Sequence, residues 1–199
     1  MTTKILQCNI QSIRKNRDEL NRILLKDDYK IGLISECWTK KELETSQYNI
    51  PYFNNYYCSR EDGYGGAMVL IHNSLKSTNL KIKSTGNIQC VGRIILPLQL
   101  AIVSIYVSPN TPLGKFKIYI NEIINTVKPY NKFILGGDFN AHHYTWDRNH
   151  SDGRGETLYE IINDENIILL NNTNPTFIPT ELHKTPSTID LVLCSPQQF

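Results

Sequence analysis

No window of this chain approaches the length and apolarity of a membrane span. The N-terminus, Met1-Thr2-Thr3-Lys4-Ile5-Leu6-Gln7-Cys8-Asn9-Ile10, also lacks the apolar region of a secretory signal, so a protein neither secreted nor membrane-embedded is expected. Charge of one sign is lacking too. The 21 Lys and Arg against 19 Asp and Glu leave a net charge of +2, too little for a general basic field, and any nucleic-acid contact has to be local. Cys8, Cys37, Cys58, Cys90 and Cys194 are odd in number, scattered, and contain no C-x-x-C pair. This argues against a disulfide framework or zinc knuckle and for reduced thiols inside a cell. Repeats, low-complexity tracts and linkers are absent as well. The 199 residues, 40% hydrophobic, suffice for one sizeable core and are short for two, so residues 1–199 are read as a single domain.

What is present is an alternation of short apolar runs with helical periodicity. Lys4 to Ile10 reads as a strand. Ser12 is placed to cap a helix in which Ile13, Leu20, Ile23 and Leu24 keep helical spacing through Lys26. Ile31 to Ser35 is a short strand, and the β-rich runs Ala67–Ile71, Val91–Leu96 and Leu100–Val107 read as neighbouring strands. Leu113 to Val127 places Phe116, Ile120, Ile123, Ile124 and Val127 on one helical face and stops before Pro129. A strand before Gly136, a helix over residues 157–163, a strand at 167–170 and a last strand at 189–194 complete the pattern. This β-rich alternation predicts an α/β fold with two sheets packed face to face and flanked by helices.

Polar residues sit where those strands end. Gly136-Gly137-Asp138-Phe139-Asn140-Ala141-His142 follows Phe133-Ile134-Leu135 and is expected to place a carboxylate and an amide just past a buried strand end, with the glycine pair turning the chain. Asn9 closes the first strand and Glu36 follows the second; Tyr106 nears the end of a third, and Asp190 interrupts the opening of the last. A carboxylate at such a position costs desolvation unless it is hydrogen-bonded, ion-paired or metal-bound. Oxygen-only candidates (Glu36, Asp138, Asp190 and the amides of Asn9 and Asn140) suit Mg²⁺ together with a substrate phosphate. The chemistry expected of such a set is phosphoester hydrolysis by an activated water.

The order Leu6-Gln7-Cys8-Asn9-Ile10, Leu33-Ile34-Ser35-Glu36-Cys37-Trp38, Arg60 with Gly65-Gly66, Ile105-Tyr106, Gly137-Asp138-Phe139-Asn140-Ala141-His142 and Ser187-Thr188-Ile189-Asp190-Leu191 resembles the endonuclease/exonuclease/phosphatase superfamily. More narrowly it resembles the apurinic-type endonuclease domain of non-LTR retrotransposons of the insect jockey or R1 kind. The resemblance implies a four-layer α/β sandwich of the DNase I-like kind. It also implies a Mg²⁺-dependent endonuclease, with Mn²⁺ as a substitute, that nicks double-stranded DNA and leaves a 3′ hydroxyl to prime reverse transcription. Such a domain would act in the nucleus, as a monomer, fused to a reverse transcriptase in a longer polyprotein. Glu36 would ligate the metal with Asn9 beside it. Asp138 would position or deprotonate the attacking water, Asn140 would hold the scissile phosphate, and Tyr106 would contact the phosphate or the leaving oxygen. Asp190 would orient a phosphate-binding histidine, with Ser187 and Thr188 shaping the turn before it. Arg60 and Ser187 are candidates for phosphate or DNA contact, and Thr176-Phe177 through Thr185 resembles the loop with which such domains probe DNA shape.

The family pattern carries a Ser-Asp-His segment beyond the Ile-Asp-Leu element, whereas none of His72, His142, His143, His150 and His183 follows Asp190. A domain lacking its C-terminal strand or strands is therefore expected. Rival readings are a folded, inactive remnant that binds DNA and a phosphatase or repair nuclease of the same superfamily. Trp146-Asp147 stands where relatives often have Trp-Gly. The spacing of His142, His143, Asp147 and His150 matches no standard zinc pattern, so they are read as solvent-facing loop residues, His142 packing under the Asp138 loop. Lys15, Arg14, Arg17 and Arg22 read as a solvated helix face, Trp38 as a loop anchor, and Tyr56 and Tyr57 as packing residues.

Overall fold

A computed structural model describes residues 2–39, 48–179 and 185–198. His183 and the tip of the segment expected to probe DNA lie outside the described residues. Among the described residues, ten strands and three α-helices follow one another as β1 (Lys4–Asn9), α1 (Ile13–Lys26), β2 (Tyr29–Ser35), β3 (Phe53–Cys58), β4 (Ala67–His72), β5 (Ser77–Leu80), β6 (Ile88–Ile95), β7 (Leu100–Val107), α2 (Leu113–Val127), β8 (Phe133–Asp138), α3 (Gly153–Asp164), β9 (Ile168–Leu169) and β10 (Asp190–Cys194). They form a four-stranded sheet, β1-β2-β4-β3, and a six-stranded sheet, β5-β6-β7-β8-β10-β9. Both sheets are mixed: β1 and β2 pair parallel, as do β7 and β8, and the remaining pairs are antiparallel.

Side-chain alternation assigns the layers. Ile31 and Leu33 of β2, Val69 and Ile71 of β4 and Ile102 of β7 fill the space between the sheets. The opposite face of the small sheet, through Ile34, Met68 and Leu70, covers Ile13, Leu20 and Leu24 of α1. The opposite face of the large sheet, through Ala101, Val103, Ile105, Leu191 and Leu193, packs on Phe116, Ile120 and Ile124 of α2 and Leu158 and Ile161 of α3. Two sheets between helices make the expected four-layer sandwich of the DNase I-like kind.

Several local expectations are corrected. The β4 run does not neighbour the β6 and β7 runs in one sheet; it belongs to the other sheet and faces them across the core. The edge strands β3 and β5 carry no continuous apolar run and escape a reading based on hydrophobic pattern. Ser12 precedes α1, but its side chain makes no capping bond. Gly136 and Gly137 are strand residues and Asp138 is the last residue of β8, so the glycines do not form a turn. Their smallness serves close packing instead: a Cβ on Gly137 would lie 1.8 Å from the Ile105 carbonyl oxygen of the adjacent strand.

Candidate active site

The two sheets end together, and their ends bring the strand-terminal polar groups into one cluster. From the small sheet come Asn9 at the end of β1 and Glu36 just past β2, whose last residues are paired in register. From the large sheet come Tyr106 of β7, Asp138 of β8 and Asp190 of β10, in which Asp138 is directly paired with both Tyr106 and Asp190. Asn9 joins the sheets, its Nδ2 donating to Glu36 Oε1 at 3.0 Å and to Asp138 Oδ2 at 3.2 Å. Asn9 Oδ1 accepts from the Gln11 backbone N–H. In this arrangement Asn9 positions the carboxylates through its amide protons.

The backbone is strained around these groups. Glu36, Trp38 and Asn140 all have positive φ, at 52°, 51° and 44°. Such conformations cost on the order of 1–3 kcal/mol each and persist where surrounding contacts over-determine them. The contacts are present: Trp38 Nε1 donates to Glu36 Oε2 at 3.2 Å, and its backbone N–H donates to the Gly65 carbonyl. Asn140 N–H donates to Asp138 Oδ1 at 3.0 Å, while its side-chain Nδ2 donates to the Val107 carbonyl at 2.8 Å. Gly65 has φ +70° and lies against the Tyr106 ring, leaving no room for a Cβ.

Asp138 is 1% exposed and Asp190 4%. Burial, then the neighbouring Asp190 and Glu36 charges, holds the Asp138 carboxyl well above the ordinary carboxylate range. Asp190 is pushed up to about 6 by burial and by Glu36, with the neighbouring polar groups of Thr176 and Gln7 opposing. The Tyr106 phenol is pushed up to about 12 by burial and by Glu36 and Asp138, with Arg60 opposing. Three mutually repelling carboxylates at one sheet end make a stronghold of negative oxygen donors, and a hard divalent cation fits that set.

Every site candidate from the sequence that lies at a strand end is therefore in this cluster. Arg60 reaches its margin, where it donates to Ser108 Oγ and pairs with Asp62. Thr176 turns inward, its Oγ1 accepting from the Ile189 and Asp190 backbone N–H groups. Ser187 is buried and pairs through its backbone with Phe177. Gln7 and Trp38 are additions. Gln7 Nε2 makes a long 3.5 Å hydrogen bond to Asp190 Oδ1 from the facing sheet, a role that only its inward position in β1 could have signalled. Arg154 of α3 was equally silent in sequence, and it donates to the Pro109 carbonyl in the loop after Tyr106.

The loop after Asn140 departs from expectation. His143 is buried between Tyr159 and Trp146, Asp147 is buried, His142 is partly covered, and His150 alone of the four faces solvent. Arg14, Lys15 and Arg22 are exposed on α1, as expected, with Arg17 partly covered. All five cysteines are unpaired. Among the described residues no helix is long and apolar enough to cross a membrane.

Comparison with known proteins agrees with the fold. The chain is 28% identical over 199 residues to the RNA-directed DNA polymerase from mobile element jockey of Drosophila melanogaster, covering 96% of this chain and 21% of that protein. The chain thus spans about a fifth of the length of the curated relatives it matches. Its structure is similar to the endonuclease domain of TRAS1, a telomere-specific non-LTR retrotransposon, with a TM-score of 0.78 and 24% identity over 98% of this chain and 86% of that one. It is also similar to a 3′-5′ exonuclease from Neisseria meningitidis, with a TM-score of 0.74 and 12% identity over 97% and 87% of the two chains. Residues 100–199 match the endonuclease-reverse transcriptase family, and the chain, with the fold of nucleases and phosphodiesterases, belongs to that family.

Proposed function

We propose that this chain is the Mg²⁺-dependent endonuclease domain of a non-LTR retrotransposon. It nicks double-stranded DNA in the nucleus by phosphodiester hydrolysis, and the 3′ hydroxyl released primes reverse transcription by a polymerase in the same polypeptide. The observation that carries the reading is the convergence of Glu36, Asp138 and Asp190 from three strands, with Asn9 bonded to two of them.

The chemistry follows from the environment of each group. A carboxylate with raised proton affinity is a stronger base than an ordinary one, and Asp138 takes the proton of the attacking water. Asn140 is anchored by one amide proton to Val107, and its other proton is left to bind a phosphate oxygen. The Tyr106 phenol keeps its proton at neutral pH and donates to phosphate or to the leaving oxygen. Asp190 is held by Thr176 and Gln7 beside Asp138 and sustains that residue's proton affinity. Glu36, with Asp138 and Asp190, would hold Mg²⁺ or Mn²⁺, which supplies neutralisation of phosphate charge.

The test is nicking of supercoiled plasmid with Mg²⁺ and with EDTA, beside Asp138→Asn. Metal-dependent nicking lost in the variant is expected. A folded chain that leaves plasmid intact with either Mg²⁺ or Mn²⁺ overturns the reading.

A further inference from the structure

A second group of ligand-type side chains lies in the loop between β8 and α3, outside the carboxylate cluster. We propose that His142, Asp147 and His150 form a binding site for a borderline transition-metal ion of the Zn²⁺ or Co²⁺ class. One ligand atom from each of the three residues lies within 4.8 Å of the other two. His142 Nδ1 is 2.5 Å from Asp147 Oδ2, and the His150 ring stacks on His142 with centroids 4.1 Å apart.

The carboxylate is the fixed point of this site. Asp147 is 1% exposed, and its Oδ1 accepts from both the backbone N–H and the side-chain Nδ2 of Asn149, each at 3.2 Å. Those bonds orient the carboxylate from behind, as outer partners of metal ligands do, and direct Oδ2 at the imidazoles. Burial of an anion calls for compensating positive charge, which a bound cation delivers at the atom that needs it. His142 is anchored as well, its backbone N–H donating to Asp152 Oδ1 at 3.3 Å. Tetrahedral coordination at about 2.0–2.2 Å requires ligand atoms about 3.4 Å apart, so an entering ion replaces the 2.5 Å His142–Asp147 hydrogen bond by opening that pair slightly, and draws in the third ligand from within 4.8 Å. Exposed His150 reaches the ion by rotating its side chain, while Asp147 stays in place.

Two imidazoles and one carboxylate, with a coordination position left for water, select Zn²⁺, Co²⁺ or Ni²⁺ over Mg²⁺. The oxygen-only cluster at Asp138 has the opposite preference, so the two sites are chemically distinguishable. Asn149 also donates through Nδ2 to the Pro186 carbonyl, just ahead of the segment that carries Asp190. A metal at this position therefore ties the loop to the chain leading into β10.

Co²⁺ titration of the tag-free chain tests the site, because imidazole-containing sites of low coordination number absorb visibly and strongly whereas octahedral oxygen sites absorb weakly. One equivalent of Co²⁺ is expected to give a strong visible band that Zn²⁺ removes and excess Mg²⁺ does not. His150→Ala, at an exposed position, is expected to weaken Co²⁺ binding by about tenfold or more. Glu36→Gln is expected to leave the band intact. No strong band at stoichiometric Co²⁺, or a band that survives His150→Ala or disappears in Glu36→Gln, overturns the proposal.

Discussion

Asp138 and Asp190 occupy directly paired positions of the antiparallel strands β8 and β10, so two buried carboxylates face each other across one ladder step. Like charges in such a position destabilise a sheet. Asn9 and Gln7, reaching across from the other sheet, soften the conflict without removing it, since both carboxyls remain above the ordinary range. A fold under selection for stability alone would place an apolar or neutral pair there.

Replacing Asp138 by its neutral isostere therefore has opposite effects on stability and activity. Asp138→Asn is expected to raise the melting temperature of the metal-free chain at pH 7.5 and to lower plasmid nicking by about 10²–10⁴-fold, the range for loss of a general base. A variant that melts lower and nicks normally would contradict both halves.

The pH dependence of stability carries a definite sign. Asp190 has a folded pKa of about 6, above its ordinary value of 3.8, so its contribution is fully present below the unfolded value and is lost as pH rises through about 6. The loss is roughly 3 kcal/mol at most. Denaturant unfolding in EDTA between pH 4 and 7.5 should show this decline, Asp190→Asn should flatten it, and Mg²⁺ should offset it at pH 7.5. A slope that is the same in Asp190→Asn rejects the assignment.

Gly65 sets the position of Tyr106. A Cβ there would come within 2.4 Å of the tyrosine ring at a φ of +70°, so Gly65→Ala should cost roughly 1–3 kcal/mol and displace the phenol. Tyr106→Phe separates the two effects: it keeps the ring, and nicking should fall by about 10²–10³-fold if the hydroxyl donates to developing charge. Equal nicking by Tyr106→Phe and the parent chain would remove Tyr106 from the reaction.

Thr176 holds Asp190 from its backbone side. Thr176→Val leaves two N–H groups without their acceptor and should destabilise by about 1–3 kcal/mol. Chemical denaturation provides the measurement. An unchanged midpoint would show that Thr176 is dispensable for holding this turn.

Hydrophobic periodicity made α1 and α2 legible, because each presents one apolar stripe to one sheet. The strands β3 and β5 were not, because edge strands need little apolar sequence and take their order from ladder bonds to β4 and β6. At the site, Asn9, Glu36, Tyr106, Asp138, Asn140 and Asp190 announced themselves as polar residues at the ends of apolar runs. Gln7 and Trp38 did not, since neither interrupts a pattern. Thr176 was legible as a candidate for DNA contact, and its bonds place it instead behind Asp190.

The sequence by itself determined the alternating elements, the helix faces and which polar residues terminate strands, because these depend on local spacing and on the cost of burying polar groups. Only the tertiary structure decided that β4 lies across the core from β6, that Asp138 and Asp190 are paired, and that His142, Asp147 and His150 converge. Those relationships join residues through sheet order, ladder register and loop path, and no local pattern encodes the distance between them.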